Sequence, residues 1–79
     1  MPAVFRVGAF RFFFYSNEGS PREPVHVHAM AAEGEAKFWL RPARVAFSDG
    51  FDARTLRELT RLVDERTTEI ERAWNEHFG

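Results

Sequence analysis

The hydrophobic period of this chain changes once, near Gly50, and that change limits what it can fold into. Up to Gly50, apolar residues alternate with polar ones or run in short blocks between Gly, Pro and Ser; beyond it they recur at steps of three and four. A β-patterned first half followed by a helical second half predicts an α+β fold in one domain, with residues 1–50 as the sheet region and 51–79 as a C-terminal helix. At 79 residues the domain lies near the lower size at which a core supports folding unaided, so a homodimer or a hetero-complex is expected.

Val4-Phe5-Arg6-Val7 and Phe10 to Tyr15 read as two strands joined at Gly8-Ala9, where Gly supplies the positive φ of a tight hairpin. One face takes Phe5, Val7, Phe10, Phe12 and Phe14, and the other takes Val4, Arg6, Arg11, Phe13 and Tyr15. Ser16 to Pro24 is a loop, rich in residues that break strands or bond their own backbone. Val25 to Met30 and Glu35 to Leu40 form a second hairpin. With Ala31 to Gly34 as its loop, His28 lies opposite Lys37 and His26 opposite Trp39, while Val25, Val27 and Ala29 join Ala36, Phe38 and Leu40 on the core side. After Arg41-Pro42, Arg44 to Phe47 reads as a short edge strand.

Asp52 is placed to cap a helix in which Leu56, Leu59, Val63, Ile70, Trp74 and Phe78 form the apolar stripe. The expected architecture is a small curled antiparallel sheet of four or five strands with one long helix, about 25 residues, packed on its Phe-rich face. No element then remains for the opposite face, which carries Arg6, Arg11, Tyr15, His26, His28, Lys37 and Trp39.

Composition narrows the chemistry. The absence of Cys removes disulfides, thiolate catalysis and sulfur-ligated zinc. A net charge of -1 gives no bulk attraction to nucleic acid. No apolar run approaches a membrane span and no leader pattern opens the chain, so a bacterial-type cytoplasmic protein without membrane contact is expected.

His26 and His28 stand two residues apart on one strand, pointing the same way with Cα atoms about 6.6 Å apart. Such a pair can share a metal, divide acid and base roles across a substrate, or simply be polar residues on a wet face. A metal needs a third ligand, for which Asn17, Glu18, Glu35 and His77 are candidates that the sequence does not position. A cation beside two imidazoles weakens their hold on protons and metals, but it suits a phosphate or a developing oxyanion. Lys37 therefore favours anion chemistry with no metal and no cofactor. Tyr15, Trp39 and Phe13 offer surfaces on which bases could stack, or stabilise the sheet as aromatic cross-strand pairs. Trp74 reads as core and His77 as a surface residue near the helix end.

Several blocks, in order, resemble the small bacterial family called domain of unknown function 4160. They are Met1-Pro2-Ala3-Val4-Phe5-Arg6, Phe12-Phe13-Phe14-Tyr15-Ser16-Asn17-Glu18, Pro24-Val25-His26-Val27-His28, Ala36-Lys37-Phe38-Trp39-Leu40-Arg41-Pro42 and Ala73-Trp74-Asn75-Glu76-His77-Phe78-Gly79. The family pattern before the His pair is Pro-Pro-His-x-His; here Pro24 matches the first Pro and Val25 replaces the second. The resemblance implies a gene arrangement like a type II toxin–antitoxin pair, with this chain as the toxin-like member and a small antitoxin-like protein encoded next to it.

Two functions of different classes follow as expectations. In the first, a toxin-like protein acts on RNA or another phosphate-bearing target in a metal-independent, ribonuclease-like way. His26 and His28 are then the acid/base pair and Lys37 the anion stabiliser, with Arg11, Tyr15, Asn17, Glu18 and Trp39 as substrate contacts. In the second, the same face is a non-catalytic module that docks and regulates a small DNA-binding partner. A His metal site is the remaining alternative.

Overall fold

The computed structural model describes residues 3–16 and 23–79. Five strands, β1 (Ala3–Val7), β2 (Phe10–Phe13), β3 (His26–Ala31), β4 (Gly34–Trp39) and β5 (Arg44–Asp49), are followed by helices α1 (Ala53–Glu65) and α2 (Thr67–Phe78). The strands form one antiparallel meander in the order β1-β2-β3-β4-β5.

Local chemistry accounts for the hairpins. Gly8 has φ 56 in the two-residue turn that pairs Val7 with Phe10. Ala32 and Glu33 make the turn between β3 and β4, one residue tighter at each side than the expected four-residue loop and in the same register: His28 pairs with Lys37 and His26 with Trp39. The period-2 pattern then sends Phe12, Val27, Ala29, Ala36 and Phe38 to one face, where they form the core with Leu59, Leu62, Val63, Ile70 and Trp74. Phe5 stacks on Phe12 with ring centroids 4.4 Å apart, and Val4, the extra residue where the β1–β2 register shifts, also packs against the core. That corrects the sequence expectation for Val4, because a bulge breaks the alternation on which it rests.

The C-terminal segment is two helices, not the one long helix expected from the sequence. Asp52 caps α1 as predicted, its side chain accepting from the Thr55 N–H at 2.8 Å; that hydrogen bond holds its carboxyl below the usual carboxylate range. At Arg66 the backbone leaves helical geometry (φ -111, ψ 23), and the Arg66 N–H is shared between the Leu62 and Val63 carbonyls, each at 3.2 Å. Thr67 turns its hydroxyl back to the Val63 and Asp64 carbonyls, a bond that competes with helix continuation. The apolar stripe shows the same interruption: between Val63 and Ile70 it has Arg66 and Thr67 where a leucine would continue it. Arg66 fills the gap with its own side chain, the guanidinium lying 4.5 Å from the centroid of the Phe5 ring.

The segment between β4 and β5 is fastened to the helices from two sides. Arg41, at φ 57, donates twice to the Glu71 carboxylate (2.8 and 2.9 Å), and the Ala43 N–H donates to Asp64 at 3.3 Å. The Arg41 hydrogen bond keeps the Glu71 carboxyl below the usual carboxylate range. No helix among the described residues is long and apolar enough to cross a membrane.

Candidate functional site

The sheet face opposite the helices is not the open surface expected from the sequence. His26 is 0% exposed and His28 6%, and Phe13 at the centre of that face is also fully buried. Aromatic side chains from the same face produce the burial. Phe13 stacks on His28 at 5.5 Å, the Tyr15 ring meets His28 edge-on at 4.6 Å, and Arg11 covers Phe13 with its guanidinium 5.0 Å from the ring centroid.

His26 opens β3, at the end of the sheet where α2 arrives. Its ring meets Trp39 edge-on at 5.5 Å and Trp74 at 4.9 Å, so the helix residue predicted as core also packs against the first histidine of the pair. The Pro24 carbonyl lies 2.9 Å from Nδ1 of His26. A carbonyl only accepts, so Nδ1 carries the proton and, in the neutral ring, Nε2 holds the lone pair. The two imidazoles are 5.4 Å apart and nearly perpendicular.

His28 has a different set of neighbours. Its Nδ1 is 3.4 Å from Oε2 of Glu35, and the Tyr15 hydroxyl donates to that same oxygen at 2.8 Å. The carboxylate thus holds the phenol and faces the imidazole. A proton on Nδ1 is the one that the Glu35 charge stabilises, which leaves Nε2 of the neutral ring as a base. The sequence offers Glu35 as a metal-ligand candidate and, by strand alternation, as a member of the histidine face. Its position two residues before Lys37 puts it on the histidine face, and that is the available signal.

Lys37 stands directly across from His28. Its ammonium donates to Glu23 at 3.1 Å and lies 4.4 Å from the Trp39 ring centroid. Part of its charge is therefore answered from within the chain by Glu23, a loop residue that strand pairing alone could not bring there. Beyond His28, Arg11 pairs directly with Arg6 of β1, two cations side by side on the same face with no ion pair to either among the described residues. Like charges opposed across strands are unfavourable by themselves and become favourable when an anion sits between them.

The structure thus brings His26, His28, Lys37, Trp39, Tyr15 and Arg11 onto one face; Asn17 and Glu18 lie outside the described residues. His77 is exposed in the last turn of α2, with its ring against Phe78. Among the described residues, no three His, Asp or Glu side chains gather as a metal-holding set.

No curated protein and no solved structure matches the chain. Residues 9–75 match the family described as Domain of unknown function (DUF4160), a span that includes β2 to β5, α1 and most of α2, with every residue of the histidine face but Arg6. The chain belongs to the DUF4160 family.

Proposed function

We propose that this protein is the toxin-like member of a type II toxin–antitoxin-like pair, acting in the cytoplasm on RNA or another phosphate-bearing target. A small antitoxin-like protein encoded next to it is the proposed cognate partner. The observation that carries this reading is the line Tyr15–Glu35–His28 with Lys37 directly across the strand pair. In such a site His28, beside Glu35, takes a proton from a ribose 2′-hydroxyl as its oxygen bonds to phosphorus; the P–O5′ bond breaks, and the leaving 5′-oxygen takes its proton from water. Lys37 offsets charge that builds on the phosphorus oxygens, and Arg6 with Arg11 holds a neighbouring phosphate. His26, fully buried and bonded to Pro24, positions His28 and is not itself the second proton carrier.

Conditional expression with and without the adjacent gene tests the class: growth arrest relieved by the neighbour is expected. His28→Ala and Glu35→Gln test the site. A proton-transfer role predicts that H28A loses at least about 100-fold in activity while remaining folded. A folded H28A that arrests growth like the parent would sink the assignment.

The burial of both histidines favours a second reading, in which the face is a non-catalytic docking module for a small DNA-binding partner. There the same substitution abolishes complex formation with the neighbour's product, and neither parent nor variant cleaves RNA.

A further inference from the structure

Strand β5 closes one edge of the sheet and is exposed at every one of its six residues, with Val45 at 44% and Phe47 at 50%. Neither proline nor lysine interrupts it, and its charges stand only at its two ends, so four uncharged residues run between them along the open edge. Its pairing with β4 shows which side chains share a face. Glu35 opposes Asp49 and Lys37 opposes Phe47, but Phe38 opposes Val45 and Trp39 opposes Arg44, so Ala46 is an extra residue. Arg44 and Asp49 are five positions apart and in a regular strand would point to opposite faces; the bulge brings both onto the histidine face, with Phe47 between them. Among the described residues neither Arg44 nor Asp49 is in an ion pair.

We propose that β5 pairs antiparallel with β5 of a second copy about a two-fold axis, in the register that sets Arg44 opposite Asp49 of the other copy at both ends. Self-pairing in this register also opposes Val45 to Ser48 and Ala46 to Phe47. Val45 and Ser48 both lie on the helix side, paired to Phe38 and Ala36 respectively, so that pair and the Arg44–Asp49 pair are each face-consistent. The two Phe47 rings meet diagonally across the axis, flanked by the two ion pairs. The charge pattern selects a second copy, since an isologous strand pair needs one end basic and the other acidic on the same face. A single six-residue strand pair is small beside a standard interface, so the association is concentration-dependent. The inference is independent of the toxin-like reading.

Sedimentation velocity from about 10 µM to about 1 mM measures it, a range chosen for a weak dimer. The wild-type chain is expected to dimerise. R44D sets a carboxylate against the Asp49 carboxylate at both ends of the interface and raises Kd at least about tenfold, as does D49R by opposing two guanidinium groups at each end. The double swap R44D/D49R restores oppositely charged pairs and returns Kd to within about threefold of wild type. F47S weakens the dimer without a change of charge, and it decides the matter together with the salt dependence of wild type if the charge variants do not fold. A chain monomeric throughout the range overturns the proposal. So does a dimer indifferent to R44D and F47S, a folded double swap that fails to restore pairing, or association only with the neighbouring gene's product.

Discussion

Gly34 and Gly50 face each other where β4 begins and β5 ends, with backbone so close that neither position has space for a methyl group. A Cβ on Gly34 would lie 2.0 Å from the Asp49 carbonyl oxygen, and one on Gly50 would lie 2.0 Å from that of Glu33. Gly50 also sits at φ 94, where an L side chain is strained irrespective of space. Gly8, at φ 56, has nothing within 4 Å of its missing Cβ. Gly50→Ala is therefore expected to destabilise by more than about 2 kcal/mol, combining clash and strain, and Gly8→Ala by about 1 kcal/mol from strain alone. Urea unfolding of the two variants checks the order; equal losses would mean that the close approach is not there in solution. The sequence marks Gly50 as the point where the period changes. It holds no sign that Gly34, sixteen residues earlier, touches it.

The two helices meet at Arg66, and the junction shows how one residue can stand in for a missing apolar position. Its guanidinium covers the Phe5 ring, which itself stacks on Phe12, so the first strand hairpin is joined to the helix layer there. Arg66→Ala is expected to cost about 1 kcal/mol through lost contact with Phe5, while Arg66→Leu, which restores an apolar residue to the stripe, retains most of the stability. Denaturant midpoints separate the outcomes; an R66A protein as stable as the parent would show that the cation–π contact contributes nothing. The interruption is partly legible in sequence, as a six-residue gap in the stripe, from Asp64 to Glu69, that holds two threonines. A regular i, i+4 pattern on either side outweighs it, because periodicity alone does not register a hydroxyl bonding back to the carbonyls of the preceding turn.

At the scale of the whole molecule, carboxylates cap α1, pair along it and tie both helices to the β4–β5 segment, and they make the fold acid-sensitive. Asp52 at the cap of α1, Glu58 beside Arg61 and Glu71 beside Arg41 all ionise more readily in the folded chain than usual, each chiefly through a hydrogen bond it accepts. A carboxyl with a depressed folded pKa stabilises above its unfolded value, about 4, and that stability is lost as pH falls through the folded value. The thermal midpoint should therefore drop between about pH 5 and pH 3, and less steeply in Asp52→Asn, whose side chain still accepts from Thr55 without a charge to neutralise. A midpoint whose acid slope is unchanged in D52N would remove the cap from this account. The sequence by itself determined the division into a sheet half and a helical half, the core face, the cap at Asp52 and the register that sets His28 opposite Lys37, because turn chemistry and side-chain period act over a few neighbouring residues. Only the tertiary structure decided that the histidine face is covered, that Trp74 reaches His26, that Glu35 holds Tyr15 beside His28 and that Glu23 takes up Lys37. Those contacts join segments far apart in the chain, and which of them meet is set by how the layers pack.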